Sequence, residues 1–229
     1  MDFVAINKLS LLDYPNKVSC ILFTRGCNFR CPFCHNGLTL LENKEDFIPF
    51  EDIISFLKKR VGVLDGVVIS GGEPTLMPDL EEKIRAIKAL GYDVKLDTNG
   101  SNPDILKRLV NKKLIDYVAM DVKGSLAKYR EIAGAPNLNL DRVVESIEFL
   151  KSGVVDYEFR TTTVDEFHNE VDMISMGRLL KGAKRLYLQK FQISEGVINK
   201  NLHPVDEDSI HKFVDILKEY VDEVDIRGY

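Results

Sequence analysis

Short apolar strands alternate with amphipathic helices along nearly the whole chain, and this alternation limits the folds open to it. Seven stretches rich in β-branched and other apolar residues are predicted as strands: residues 18–24, 66–70, 93–98, 117–122, 157–163, 185–191 and 223–226. Between them, apolar side chains recur at helical spacing, as at Leu80, Ile84 and Ile87. Strands joined by helical crossovers pair in parallel with right-handed connections. The pattern therefore predicts a parallel α/β sheet, either open and doubly wound or curled toward a barrel.

The length of the chain favours one of these two arrangements. Six or seven strand–helix units fit into its 229 residues, whereas a complete eightfold barrel typically needs about 250 residues. We therefore predict an incomplete parallel (β/α)6-type barrel, that is, a partial TIM barrel. The sequence shows no internal linker, low-complexity run or repeat, so we expect residues 1–229 to form a single domain.

Composition and charge exclude several functional classes. Apolar residues make up 45% of the chain, which is enough to build a core and excludes a disordered tail. With 31 Lys and Arg against 36 Asp and Glu, the net charge of −5 disfavours broad binding to nucleic acid or to an anionic membrane. No apolar run is long enough for a signal-peptide core or a membrane span. The expected compartment is therefore the reducing cytoplasm.

The cysteines are few and unevenly placed. Cys20 lies in the apolar run VSCILF and is predicted to pack in the core, but Cys27, Cys31 and Cys34 fall within eight residues. In a reducing compartment such a group indicates metal ligands or redox catalysts. The spacing favours a 4Fe–4S cluster with three cysteine ligands and one open iron. A zinc site completed by His35 and a set of unligated thiols are the alternatives, although adjacent Cys34 and His35 would reach one ion only with difficulty.

Polar and glycine-rich segments follow the predicted strands at the points where they end. Ligands of parallel α/β folds bind at these carboxyl ends, because loops and helix N-termini meet there. Gly71 and Gly72 would expose main-chain groups to a ligand, and Asp121 and Lys123 lie on the same face of an extended segment. We expect one site to be lined by these segments: RGCNFRCPFCHN, SGGEPT, LDTNG, MDVKG, FRTTT and LQKF.

These residues carry a resemblance to a known family. The cysteine triad, with Phe33 before its last member, resembles the cluster motif of the radical S-adenosylmethionine (radical SAM) enzymes, and SGGEP is similar to their SAM-amine motif. Longer segments resemble the glycyl-radical-enzyme activases, most closely those of anaerobic ribonucleoside-triphosphate reductase: SLLDYPNKVSCILFTRGCNFRCPFCHN, DTNG, MDVKG, YREIAG, FRTTTV and YLQKF. The likeness covers nearly the whole chain and implies a partial barrel of the radical SAM type.

The resemblance implies a role for each matching residue. Cys27, Cys31 and Cys34 would hold three irons of a 4Fe–4S cluster, and the fourth iron would bind SAM. Gly71 and Gly72 would meet the amino group of SAM through their backbone. Nine residues in all would contact SAM or support its site: Phe33, Gly71, Gly72, Glu73, Asp97, Thr98, Asp121, Lys123 and Arg160. Two of them, Asp97 and Asp121, are similar to activase residues that can hold a monovalent cation beside the SAM carboxylate.

The resemblance also implies a reaction and its partners. A 5′-deoxyadenosyl radical, formed by one-electron cleavage of SAM, would take a hydrogen atom from a backbone glycine of a partner glycyl radical enzyme. The electron would come from a flavodoxin- or ferredoxin-type donor, and neither nucleic acid nor a membrane is an expected partner. Two alternatives share the radical chemistry: a small-molecule enzyme similar to carboxy-deazaguanine synthases, and an activase of another glycyl radical enzyme such as pyruvate formate-lyase. A metal-binding module without catalysis is a third.

Two features depart from the activase pattern. Asp13 matches a position that faces the partner's glycine loop, but the segment Asp13-Tyr14-Pro15-Asn16 stands where activases commonly read D-G-P-G. Some activases carry a histidine near the sixth strand, where this chain has Gln189 and Gln192. We therefore expect the docking of the partner's peptide to differ in detail from that of the family.

Overall fold

The computed structural model describes residues 3–35, 37 and 47–228, which form one β-sheet and its covering helices. The sheet contains eight strands: β1 (Ala5–Ser10), β2 (Ser19–Thr24), β3 (Gly66–Gly71), β4 (Asp93–Thr98), β5 (Tyr117–Asp121), β6 (Asp156–Thr163), β7 (Arg185–Lys190) and β8 (Glu223–Arg227). Among the described residues, seven α-helices with defined bounds lie between these strands: α1 (Phe50–Lys58), α2 (Leu80–Lys88), α3 (Pro103–Asn111), α4 (Tyr129–Ile132), α5 (Leu140–Lys151), α6 (Glu170–Leu179) and α7 (Glu207–Lys218).

The order of the strands distinguishes a barrel from a doubly wound sheet. The eight strands lie side by side in sequence order from β1 to β8, and β2 to β8 are all parallel. A doubly wound sheet would reverse its strand order at a switch point. In the part of the chain that the structure describes, β1 and β8 form the two edges and do not pair with each other. The prediction of an incomplete barrel is confirmed.

All seven predicted strands are present, but the sequence did not predict β1. This strand, AINKLS, pairs antiparallel with β2, from Ala5 opposite Phe23 to Ser10 opposite Ser19. Most of its residues are exposed, so it lacks the apolar run or the strict alternation by which the other strands were recognised. An edge strand that faces solvent has little need for apolar side chains.

Side chains alternate between the two faces of the sheet. Outward residues such as Leu22, Ile69 and Leu96 pack with the helices in the large core, and Cys20 lies there fully buried, as predicted. The inner face carries a small apolar cluster of Tyr14, Ile21, Val68 and Tyr117 near the amino ends of the strands. Toward the carboxyl ends of the strands the inner face is mostly polar, and this part forms the site described below.

Polar caps begin several of the helices. The Asp206 side chain accepts a hydrogen bond from Ser209 N at 2.9 Å at the start of α7, and Asn169 accepts one from Asp172 N at 3.0 Å at the start of α6. These caps mark where each crossover turns from loop into helix. None of the helices in the described residues is long and apolar enough to cross a membrane.

Candidate active site

A cavity of about 270 Å³ lies at the carboxyl ends of the strands, where the sequence predicted the site. It reaches the surface beside His35, which is exposed. Its walls are formed by Cys27, Phe29, Cys31, Phe33, Cys34, His35, Ser70, Gly71, Gly72, Asp97, Thr98, Asn99, Asp121, Lys123, Arg160, Thr162 and Gln189. The structure therefore brings together the three clustered cysteines and eight of the nine residues expected at SAM.

The cysteine loop is held against the segment that follows α4. Arg30 N donates to Ala133 O at 2.8 Å, and Cys31 Sγ lies 3.6 Å from the same oxygen. Burial raises the pKa of Cys27 to about 11 and also raises the pKa of Cys31 above that of an exposed thiol. Both thiols are therefore protonated near neutral pH until a metal displaces the proton.

The two glycines of SGGEP are required by a close approach of the backbone. Gly71 has a φ of +113°, and a Cβ on it would lie 2.4 Å from Thr24 N. A Cβ on Gly72 would lie 1.8 Å from Gly26 O. Larger residues at these positions would push the end of β3 away from the loop that carries Cys27. The glycines thus bring this strand end and the cysteine loop to one wall of the cavity.

Glu73 does not line the cavity but ties two of its loops together. It is 1% exposed and accepts three hydrogen bonds on Oε1, from Thr75 N at 3.1 Å, Thr75 Oγ1 at 2.6 Å and Thr98 Oγ1 at 2.8 Å. Its Oε2 accepts from Asn99 N at 2.7 Å. Burial raises the pKa of Glu73, and these donors partly offset that effect. Glu73 therefore supports the loop after β3 from below the cavity wall.

Charged side chains on neighbouring strands form a ladder across the cavity floor. Arg160 spans two carboxylates, with Nη1 3.3 Å from Asp97 Oδ2 and Nε 3.0 Å from Asp121 Oδ1. Lys95 Nζ lies 2.6 Å from Asp97 Oδ1, and Lys123 Nζ lies 3.2 Å from Asp121 Oδ2. Each of the four carboxylate oxygens thus has a cationic partner. A monovalent cation at Asp97 and Asp121 stays a prediction from the resemblance.

The ladder keeps its carboxylates ionised. Burial alone would raise the pKa of Asp121, but the positive charges of Lys123 and Arg160 outweigh it and hold the pKa at about 2. Burial opposes ionisation of Asp97 as well, and the charges of Arg160 and Lys95 hold its pKa below the usual value. Three cations against two carboxylates leave one positive charge, which suits an anionic ligand group such as a carboxylate.

We expect the Asp121 carboxylate to make stability depend on acid pH. Its pKa is about 2 in the folded chain and roughly 3.9 in an unfolded one, so the unfolded state binds more protons between these values. The contribution to stability is therefore present above about pH 4 and lost as the pH falls toward 2. Urea unfolding of wild type and Asp121→Asn should show a difference at pH 7 that narrows between pH 4 and pH 2. Asp215, which is exposed on α7, supplies the control. The difference in free energy of unfolding between Asp215→Asn and wild type should stay constant over this pH range. If the difference in free energy of unfolding between wild type and Asp121→Asn stays constant from pH 7 to pH 2, the low pKa given to Asp121 is wrong.

Asp13 lies apart from the other predicted site residues. Its neighbour Tyr14 packs on Tyr117, with ring centroids 6.0 Å apart, and Lys17 pairs with Asp93. Those contacts are at the amino ends of the strands, whereas the cavity is at their carboxyl ends. The role of Asp13 toward a partner peptide stays a prediction, and it would require the peptide to reach the far end of the barrel.

Sequence reasoning missed two residues that support the site, Lys95 and His168. Buried Lys95 supports Asp97 from beneath. His35, named above only for the alternative zinc site, and Asn99, in the expected segment LDTNG, both line the cavity. His168 Nε2 donates to Lys123 O at 3.0 Å and so holds the loop that carries Lys123. Lys95 and Asp97 share a strand face two residues apart, a signal that could have revealed Lys95. His168 comes from a distant loop, and no local pattern indicates its contact.

Comparison with known proteins agrees with this geometry. Residues 21–177 match the family model of the radical SAM superfamily. The chain belongs to the radical SAM superfamily. It is accordingly an enzyme, and its family implies a 4Fe–4S cluster and SAM. A protein of Methanocaldococcus jannaschii, provisionally named a glycyl-radical enzyme activating enzyme, is 36% identical over 228 residues, covering 96% of this chain and 92% of that one.

Two further proteins are similar to this chain over a smaller share of their own length. A Saccharolobus solfataricus protein provisionally named GTP 3′,8-cyclase is 36% identical over 137 residues, which is 56% of this chain and 41% of that protein. The structure of Streptococcus suis SuiB bound to S-adenosylmethionine matches with a TM-score of 0.68 at 16% identity, covering 91% of this chain and 52% of that one. This chain thus spans about half of the length of each of these two proteins. The similarity to SuiB bears on the fold alone.

The residues present fit the cofactors of a radical SAM enzyme. Three thiols, which are soft ligands suited to iron–sulfur clusters, line one cavity beside a ladder with a positive charge to spare. Among residues 3–35, 37 and 47–228, no three His, Cys, Asp or Glu side chains lie close enough together to hold a single metal ion. A 4Fe–4S cluster would use the three thiols as ligands of three separate irons.

Proposed function

We propose that this radical SAM enzyme activates a glycyl radical enzyme, by removing a hydrogen atom from a backbone glycine of that partner. The near-complete coverage of the Methanocaldococcus jannaschii relative supports the proposal. When bound, a 4Fe–4S cluster and SAM would supply a 5′-deoxyadenosyl radical through one-electron cleavage of SAM. The cluster would be held by Cys27, Cys31 and Cys34, whose sulfurs line the cavity wall.

The remaining residues of the cavity would bind and orient SAM. The spare positive charge of the ladder, carried at the cavity by Lys123 and Arg160, would attract the SAM carboxylate. The wall formed by Gly71 and Gly72 would lie along its amino group. Phe33 is buried, with its ring 5.8 Å from Lys123 Nζ, and would offer an apolar surface to the adenine. Glu73, Asp97, Thr98 and Asp121 would hold these groups in place.

The observation that favours a protein substrate is the scarcity of free basic groups at the cavity. A small polar substrate would call for several arginines or lysines besides Lys123 in a closed pocket. In the described part of the chain, Arg160 is the only further one on the cavity wall, and both already contact Asp97 or Asp121. The cavity also reaches the surface, and the barrel stays open between β1 and β8. A peptide loop could therefore enter and cover the site from water.

The partner that we propose is anaerobic ribonucleoside-triphosphate reductase, supplied with electrons by a flavodoxin- or ferredoxin-type protein in a reducing compartment. We further propose that residues 1–229 act as one domain, because a single sheet and one large core run through the described chain. The resemblance in YREIAG and FRTTTV supports the choice of partner.

The deciding experiment mixes the reconstituted protein anaerobically with SAM, a reductant and each candidate partner. We expect a glycyl radical EPR signal with the anaerobic reductase, and none when its target glycine is replaced by alanine. A signal only with another glycyl radical enzyme, such as pyruvate formate-lyase, would refute the choice of partner. Cleavage of SAM without a glycyl radical on any partner would refute the activating function and favour a small-molecule substrate.

A further inference from the structure

Asn99 is a buried residue, 6% exposed, whose side chain reaches one of the candidate ligand sulfurs. Its Nδ2 lies 3.8 Å from Cys27 Sγ and 2.9 Å from Asn28 Oδ1. The sulfur distance is within the range of an N–H···S hydrogen bond to a large, polarisable acceptor. No role in the reaction has been given to Asn99 above, although it lies in the cavity wall.

The orientation of the Asn99 carboxamide is determined by its neighbours. Ser101 N–H, which can only donate, lies 2.9 Å from Asn99 Oδ1. The oxygen of the amide must therefore face Ser101, and the nitrogen must face Cys27. The main-chain N–H of Asn99 donates separately to Glu73 Oε2 at 2.7 Å, so the backbone is anchored independently of the side chain.

Cys27 differs from the other two cysteines in the donors that surround it. Its sulfur also accepts from Phe29 N–H at 3.3 Å. Cys31 Sγ instead lies 3.6 Å from a carbonyl oxygen, Ala133 O. Within the hydrogen bonds of residues 3–35, 37 and 47–228, no N–H group of another residue donates to the sulfur of Cys31 or Cys34. The described N–H donors are thus concentrated at one of the three sulfurs.

Hydrogen bonds to a ligand sulfur draw electron density from a cluster and favour its reduced state. Burial strengthens this effect, because the surrounding dielectric is low. We propose that Asn99 is a positioning residue that raises the reduction potential of the bound cluster by donating to the Cys27 thiolate. The proposal rests on the role of Cys27 as a ligand in the proposed function, but it does not depend on the identity of the partner.

The test is an anaerobic redox titration of the reconstituted protein, followed by EPR of the reduced cluster without SAM or partner. Dithionite supplies the single electron that each cluster takes up. Asn99→Ser keeps a short acceptor for Ser101 N–H but is too short to reach Cys27. Asn102→Ser is the matched control from the same loop, since the Asn102 side chain donates to Thr75 O and not to sulfur.

A charge-assisted hydrogen bond is worth about one power of ten in an equilibrium constant. At the potential where half of the wild-type cluster is reduced, we expect the ratio of reduced to oxidised cluster in Asn99→Ser to be about tenfold lower. For a one-electron couple this equals a shift of about 59 mV to more negative potential. The midpoint potential of the cluster in Asn102→Ser should equal that of wild type. An unchanged midpoint in Asn99→Ser would overturn the proposal.

Two features keep the test decisive. EPR reports only loaded clusters, so a lower iron content in Asn99→Ser leaves its midpoint measurable. If that variant holds no cluster, pulsed EPR of reduced wild-type protein labelled with heavy nitrogen in asparagine side chains takes its place. A nitrogen coupling that changes on labelling supports the proposal, and the absence of any such coupling refutes it. Failure of the activating function would leave both measurements unaffected.

Discussion

Replacing Cys31 by alanine should abolish SAM cleavage. The thiol of Cys31 is 6% exposed and lines the cavity with Cys27 and Cys34, so its loss would leave two protein ligands for a cluster that uses three. We expect iron bound after anaerobic reconstitution to fall strongly and 5′-deoxyadenosine formed with SAM and dithionite to drop by at least about a thousandfold, since the cofactor carries the chemistry. Iron analysis and chromatography of the products measure the two effects.

Cys20→Ala is the control for this variant. Cys20 is also buried, but it faces the helices on the outer side of the sheet, and burial raises the pKa of its thiol to about 12. Cys20→Ala should lower the free energy of unfolding by roughly 1 kcal/mol through lost packing and leave iron content and product formation unchanged. Full activity in Cys31→Ala, or loss of iron in Cys20→Ala, would show that the ligands have been assigned wrongly.

Replacing Arg160 by methionine should weaken both the fold and the binding of SAM. The guanidinium group bridges Asp97 and Asp121, and its removal leaves two partly buried carboxylates, 14% and 35% exposed, with one lysine each. We expect a loss of roughly 2 kcal/mol in the free energy of unfolding, between the values for exposed and for fully buried ion pairs, because solvent screens the partly exposed Asp121. Loss of the spare positive charge should also weaken SAM binding by at least about tenfold, as measured by calorimetry on the loaded protein.

A matched variant and a double variant test the interpretation of the ladder. Arg185→Met removes an arginine that faces the same barrel interior but contacts Tyr117 and Glu223 away from the cavity. It should leave SAM affinity near that of wild type. In the double variant Arg160→Met with Asp121→Asn, the charge of Asp121 is absent and needs no positive partner. The double variant should therefore lose less free energy of unfolding than the two single variants combined. Additive losses would mean that the residues do not act as one network.

Much of the fold could be predicted because its elements follow local patterns. The seven parallel strands carry either an apolar run, as in GVVISG, or an alternation of apolar and polar residues, as in DVKLDT. The cysteine loop, SGGEP and the polar strand ends could be assigned to one site, since carboxyl ends of parallel strands meet at one edge. The exposed strand β1 escaped prediction for the opposite reason, because a solvent-facing edge strand has no apolar pattern to detect.

The details of the site could be predicted only in part. Asp97, Asp121, Lys123 and Arg160 were each expected there, but their mutual pairing depends on the register of β4, β5 and β6. The expected role of Asp13 toward a partner's peptide stays a prediction, and its segment lies at the amino ends of the strands, because β1 runs antiparallel and turns there into β2. A short sequence motif does not reveal the direction of the neighbouring strand, and so it does not show at which end of the barrel its residues lie.

The sequence by itself determined the class of fold, the superfamily and the three clustered cysteines, since each depends on residue types at fixed local spacing. The tertiary structure decided what those residues meet. It brought Asn99 to the sulfur of Cys27 and Arg160 between two carboxylates, from strands and loops well separated in the chain. Hydrogen bonds and ion pairs act only over a few ångströms, so long-range partners are chosen by the pairing and curvature of the sheet and not by the spacing of residues along the chain.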